Sequence, residues 1–124
     1  MDIDTTTVQD QRREKRVRRM QVLFSWSFGQ DSFDPSFKSY VETFTQHQGD
    51  VDALIVDAAP EWPIEQMNKA ELAILRSIIL ESLLKKTPKK VLINEAIEIG
   101  REFGTESSPK FINGVLGKIL IDSE

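Results

Sequence analysis

Six cations crowd into eight positions near the start of the chain: Arg12, Arg13, Lys15, Arg16, Arg18 and Arg19, interrupted by Glu14 and Val17. The run carries +5 in a 124-residue chain whose net charge is −4, so the other residues sum to −9. Guanidinium groups present several donors in a fixed fork that matches phosphate oxygens. A concentrated basic segment on an acidic body therefore points to an anionic partner, with a nucleic-acid backbone the obvious candidate. Spacing sharpens this reading. At 100° per residue Arg12, Lys15, Arg16 and Arg19 share one side of a helix, Leu23 and Trp26 continue their line, and Arg18 lies toward the edge. Val17, Met20, Phe24 and Phe28 form a separate apolar line. The pattern predicts a helix over about 10–28, with its apolar line anchored in a core and its cations outward.

Other chemistry is sparse. The chain has no cysteine, which excludes disulfides, thiolate metal sites and cysteine nucleophiles. Its single histidine, His47, excludes a multi-histidine metal site and would have to reach Ser107 or Ser108 across the fold to activate a hydroxyl. Glu95 and Glu98 lie three apart on one predicted helix and read as solvated surface. Lys85, Lys86, Lys89 and Lys90 flank Thr87-Pro88; they read first as complements to a helix end and only second as a nucleic-acid contact. Phosphate-binding glycine loops, dinucleotide fingerprints and zinc-protease helices are all missing from the sequence. No enzyme activity, metal or cofactor is expected.

The elements that must carry these residues are helical. Residues 1–10 hold almost no apolar side chains and are expected to fray, leaving 11–124 as one domain. Gly29 stops the first helix. Asp34-Pro35 reads as a cap with proline in the first turn, opening a long helix over about 35–59 through Phe37, Val41, Phe44, Gln48, Val51, Ile55 and Ala58. Pro60 and Pro63 bracket Trp62 and break the chain, with a short turn at 64–67. Leu72, Ile74, Leu75, Ile78, Ile79 and Leu83 give a face wide enough for the central helix of a bundle, about 69–85. Thr87-Pro88 and Ser108-Pro109 repeat the cap-and-proline signal before helices over 88–103 and 109–121. The first of these presents Val91 or Leu92, Ala96, Ile99 and Phe103, and the second Ile112, Val115, Leu116, Ile119 and Leu120. Nothing alternates like a strand, so the fold class is all-α, a compact bundle of five to six helices. No apolar run reaches the ~20 residues that cross a bilayer, and the polar N-terminus is no secretory signal, so a cytoplasmic protein is expected.

The second half carries W-P-I-E-Q-M (62–67), E-L-A-I-L-R-S-I-I-L-E (71–81), P-K-K-V-L-I-N-E-A-I-E-I-G-R-E-F-G (88–104) and F-I-N-G-V-L-G-K-I (111–119). With R-R-E-K-R-V-R-R-M-Q-V-L-F-S-W (12–26) ahead of them, these segments resemble the NusB family of bacterial transcription antitermination factors. The resemblance implies two packed helical subdomains, about 11–59 and 63–121. It also implies binding of the boxA element of ribosomal RNA leaders together with NusE, a small-subunit ribosomal protein, within the RNA polymerase antitermination complex. By the same resemblance, Arg12, Arg13 and Arg16 match the RNA-facing arginine motif and Phe24 and Trp26 an aromatic pair. Glu71 matches an acid on the NusE-facing side, and Lys110-Phe111 a basic–aromatic pair near both surfaces. Ser107 stands where some members carry an acid in the partner-facing loop.

Combined with the spacing, the expected RNA-binding set is Arg12, Arg13, Lys15, Arg16, Arg19, Trp26, Lys110 and Phe111, with Trp26 or Phe111 stacking a base. The expected partner-binding set is Glu71, Ser107 and Phe111. The stretch between Gly29 and Asp34 is too short for the extra helix usual in the family, which implies a reduced N-terminal subdomain and an apolar face that would favour a homodimer. Two other readings fit the sequence: a related RNA-binding domain such as accompanies ribosomal RNA cytosine methyltransferases, and a helical adaptor without RNA binding.

Overall fold

The computed structural model describes residues 7–30 and 33–122, and within them the chain folds as five α-helices with no strand. Helix α1 spans Val8–Ser27, α2 Lys38–Ala58, α3 Lys69–Leu84, α4 Lys89–Phe103 and α5 Ser108–Leu116, the last running on as a π-helical turn over Gly117–Asp122. Short 3-10 turns at Pro35–Phe37 and Ile64–Gln66 precede α2 and α3. The all-α expectation holds. Residues 1–6 of the segment expected to fray lie outside the described residues. Helix α1 begins before residue 10 because Thr7 and Asp10 form a reciprocal capping box that satisfies the first orphan donors. It ends at Ser27, and just beyond it Gly29 turns the chain with a φ of 74° that a side chain would resist.

Two proline signals shift register by one residue. Pro88 itself is the N-cap of α4, and the Thr87 hydroxyl donates to Glu81 instead of capping. Ser107 is the N-cap of α5, and Ser108 lies inside the helix. In both cases a tertiary acceptor takes the hydroxyl that local reading assigns to the cap.

Helix α3 is the axis of the bundle. Every residue from Leu72 through Glu81 is buried, and α1, α2 and α4 all pack on it. Phe44, Val51 and Ile55 of α2 and Leu92, Ala96 and Ile99 of α4 complete the core, with Ile112, Val115, Leu116 and Leu120 from the C-terminal helix. Two polar ties cross this core. Arg76 donates to both oxygens of Asp52 at 2.9 Å, joining α3 to α2, and Lys118 donates to the Ala58 carbonyl at 3.1 Å.

The orientation of α1 departs from the sequence reading. Its inward line is Arg16, Met20 and Leu23, with Val22 also buried. Phe24 and Phe28, expected in the core, lie exposed and meet each other edge to face at 5.0 Å. The helix is turned so that an arginine enters the interior, which apolar periodicity cannot foresee. On α4, Leu92 is buried while Val91 stays 42% exposed.

Candidate nucleic-acid interface

The basic stripe of α1 divides into structural and free cations. Arg16 is buried and held by two acids: Nε and Nη2 reach the two oxygens of Glu81 at 3.0 Å each, and Nη1 reaches Glu95 at 3.1 Å. Arg13 closes on the other Glu95 oxygen, from Nε at 2.9 Å and Nη2 at 2.6 Å. Thr87 adds a hydrogen bond to Glu81 at 2.8 Å. The expectation that the α1 cations point outward is therefore corrected for Arg16, while Arg13 is ion-paired to Glu95 but keeps its side chain 37% exposed. Two buried carboxylates on α3 and α4 need compensating charge, and these guanidiniums supply it by docking α1. Glu95, expected as solvated surface, is 3% exposed at the centre of the network. Burial alone would raise the Glu81 carboxyl, but the hydrogen bonds from Arg16 and Thr87 outweigh it and hold the group below its ordinary value.

Arg12, Lys15 and Arg19 make no ion pair among the described residues, while Arg18 pairs with Glu14. The three unpaired cations line a groove of about 700 Å³ between α1 and the α3–α4 junction. Lys85, Thr87, Pro88 and Val91 form its opposite side, and Arg16, Glu81 and Glu95 also line it. Glu81 was legible as the acid closing an otherwise apolar run, and a charge in an inward register is the signal of a buried partner. Lys85 belongs to the lysine cluster whose second reading is a nucleic-acid contact, whereas the placement of Val91 in the groove had no signal in the sequence.

Trp26 is not a free stacking surface. Its ring meets the buried Phe44 edge-on at 5.2 Å, and the Arg76 guanidinium lies 5.7 Å from its centroid. The line that carries Arg16 inward carries Trp26 toward the core as well, so the base-stacking role expected of Trp26 is corrected to a packing role.

The remaining residues gather elsewhere. Glu71, Ser107 and Phe111 line one cleft of about 280 Å³ with Trp62, Met67 and Thr105. Phe111 and Lys110 also line a neighbouring groove floored by Ala58 and Val115. Ser108 Oγ donates to Glu71 at 2.6 Å and accepts from the Thr105 amide at 2.8 Å. His47 Nδ1 instead contacts the Thr43 carbonyl at 2.8 Å, so no histidine–serine pair forms. Glu71 and Glu81 are ten residues apart on α3, about 15 Å along the helix. Lys110 and Phe111 thus lie at the opposite end of the bundle from the basic groove. No group of three or more metal-ligating side chains occurs among the described residues, and none of their helices is long and apolar enough to cross a membrane.

Gly104 makes the tight corner between α4 and α5 possible. A Cβ there would lie 2.3 Å from Ser108 Oγ and 2.8 Å from the Gly100 carbonyl oxygen. Gly104→Ala is expected to break the Ser108–Glu71 tether and destabilise the fold by about 2–3 kcal/mol. A denaturant titration in which the variant matches the unsubstituted protein would show that the corner relaxes freely.

The description "NusB family" fits residues 27–120 of this sequence. The chain belongs to the NusB family. Among similar proteins, the transcription antitermination protein NusB of Oceanobacillus iheyensis is 35% identical over 123 residues, covering 88% of this chain and 98% of the relative. That of Roseiflexus castenholzii is 42% identical over 78 residues, which is 60% of this chain but 55% of the relative. The match thus spans about half the length of some NusB relatives and nearly all of others. The solved structure of Thermotoga maritima NusB superposes with a TM-score of 0.75 at 28% identity, covering 87% of this chain and 89% of that one.

Proposed function

We propose that this NusB-family protein is a non-enzymatic, cytoplasmic transcription antitermination factor that binds boxA-type single-stranded RNA together with NusE. The observation that carries the RNA part is the groove beside α1, where Arg12, Lys15 and Arg19 make no contact ion pair among the described residues in a chain of net charge −4. Phosphate neutralisation by such groups supplies much of the affinity for single strands. The acidic remainder repels RNA elsewhere and restricts docking to this stripe. Trp62, Glu71, Ser107 and Phe111 form the proposed NusE-facing cleft, whose acid suits a basic ribosomal protein. Lys110 and Phe111 flank that cleft, so in this reading they meet RNA only where a strand extends past the partner. The assembly would act within the RNA polymerase antitermination complex. A homodimer would draw on the exposed Phe24–Phe28 edge, and its signature would be a concentration-dependent mass.

The test is RNA binding across a salt series, with and without NusE. Three α1 cations predict that log affinity falls with log salt at a slope of about −2 or steeper. Replacing Arg12 and Arg19 by alanine is expected to reduce affinity about 25-fold near 0.1 M salt. Stability should hardly change, because neither side chain is ion-paired among the described residues. A slope near zero would overturn the electrostatic reading. NusE binding with no RNA retained in either condition would leave a protein adaptor.

A further inference from the structure

The basic groove has a second side that the α1 stripe does not account for. Lys85 leaves α3 in extended conformation and faces the groove with no ion-pair partner among the described residues. Beside it, Pro88 and Val91 present an apolar edge, and Val91 is 42% exposed although the same turn of α4 buries Leu92. The segment is held rather than loose: the Lys85 amide donates to the Glu81 carbonyl at 2.9 Å, and the Thr87 hydroxyl to the Glu81 carboxylate at 2.8 Å. Glu81 also anchors Arg16, so one acid sets the separation between the two sides.

We infer that Lys85, Pro88 and Val91 form the second wall of a nucleotide-binding trench, in which Lys85 takes a phosphate and the Pro88–Val91 edge packs against a ribose or an unpaired base of the RNA strand. This rests on the RNA reading above and extends it from one helix face to a two-sided clamp. The arrangement suits a single strand, since only unpaired bases offer their faces to an apolar edge. A volume of about 700 Å³ admits nucleotide-sized groups. Four cations then bracket the strand, three from α1 and one opposite them: Arg12, Lys15 and Arg19 facing Lys85. The full salt slope becomes about −3.

The decisive comparison uses the full chain, a short boxA-type single-stranded RNA and three variants. Lys85→Ala is expected to make the slope shallower by about 0.7 and to weaken binding about fivefold near 0.1 M salt. Val91→Glu, which places an acid in the trench, is expected to weaken it by more than about tenfold. Lys90→Ala, an exposed lysine of the same cluster that does not line the groove, should stay within about twofold. Thermal melts should be unchanged in all three, since the replaced side chains are exposed. Equal losses for Lys85→Ala and Lys90→Ala would mean a diffuse cationic cloud and overturn the wall. Normal binding by Val91→Glu would overturn it too. If Arg12 and Arg19 matter while Lys85 and Val91 do not, only the second wall fails. An unsubstituted chain that binds no RNA ends both readings.

Discussion

Arg16→Ala is expected to lower the stability of the fold by about 3–5 kcal/mol, an effect on folding that precedes any effect on RNA. The guanidinium makes three hydrogen bonds to Glu81 and Glu95, whose side chains are 8% and 4% exposed. Removing it leaves Glu81 with only the Thr87 hydroxyl and Glu95 with only Arg13, in an interior where an uncompensated carboxylate is costly. Replacing the whole network with apolar groups would cost far less, because the loss comes from the orphaned acids and not from the pair as such. A urea titration measures the difference. A variant with an unshifted midpoint would show that water or side-chain movement compensates the acids.

The same network gives the fold an acid dependence whose sign follows from Glu81. Its folded pKa lies below the ordinary carboxylate value. Its contribution is therefore complete above the unfolded-state value and is lost as pH falls through the folded one. In Arg16→Ala only the Thr87 hydroxyl still hydrogen-bonds Glu81 against its burial, so this part of the acid loss should shrink. Stability measured between neutral and acidic pH in both proteins reads the difference directly.

Phe44→Ala is the second large effect, about 3–5 kcal/mol. The ring is 0% exposed and fills the space between α1, α2 and α3. Trp26 rests edge-on against it and the Arg76 guanidinium lies 5.7 Å from its centroid, so truncation opens a cavity and removes support from a buried charge. The Arg76–Asp52 bridge passes beside this aromatic pair, which ties α2 to α3 at the same point. Chemical denaturation checks the magnitude, and a loss under about 1 kcal/mol would mean that the neighbours collapse into the space. Trp26→Ala belongs to the same cluster. It is expected to cost stability while leaving RNA affinity per folded molecule unchanged, the reverse of what a base-stacking residue would show.

Much of the architecture is written in local patterns. Helical spacing of apolar residues placed all five helices to within a few residues, and the width of the Leu72–Leu83 face marked the central one. Breaks were signalled by Gly29, by the Pro60–Pro63 bracket and by the later prolines, because each limits the backbone without reference to distant parts of the chain. The resemblance carried by 62–119 correctly pointed to the NusB family. Individual contacts were harder to read. Arg12 and Arg16 stand on one side of one helix, yet one lines an open groove and the other is buried against two acids.

That division depends on Glu81 and Glu95, which arrive from helices 65 and 79 positions away along the chain. Periodicity ranks side chains by polarity and has no term for a cation neutralised by a remote partner, so it turned α1 toward Phe24 and Phe28. The same reason explains Thr87 and Ser108, whose hydroxyls leave the expected caps for Glu81 and Glu71. Local sequence settled which segments coil and which residue types are available. Packing of one helix on another settled which charges are spent inside the molecule and which remain for a partner, because that accounting is made between residues distant in the chain.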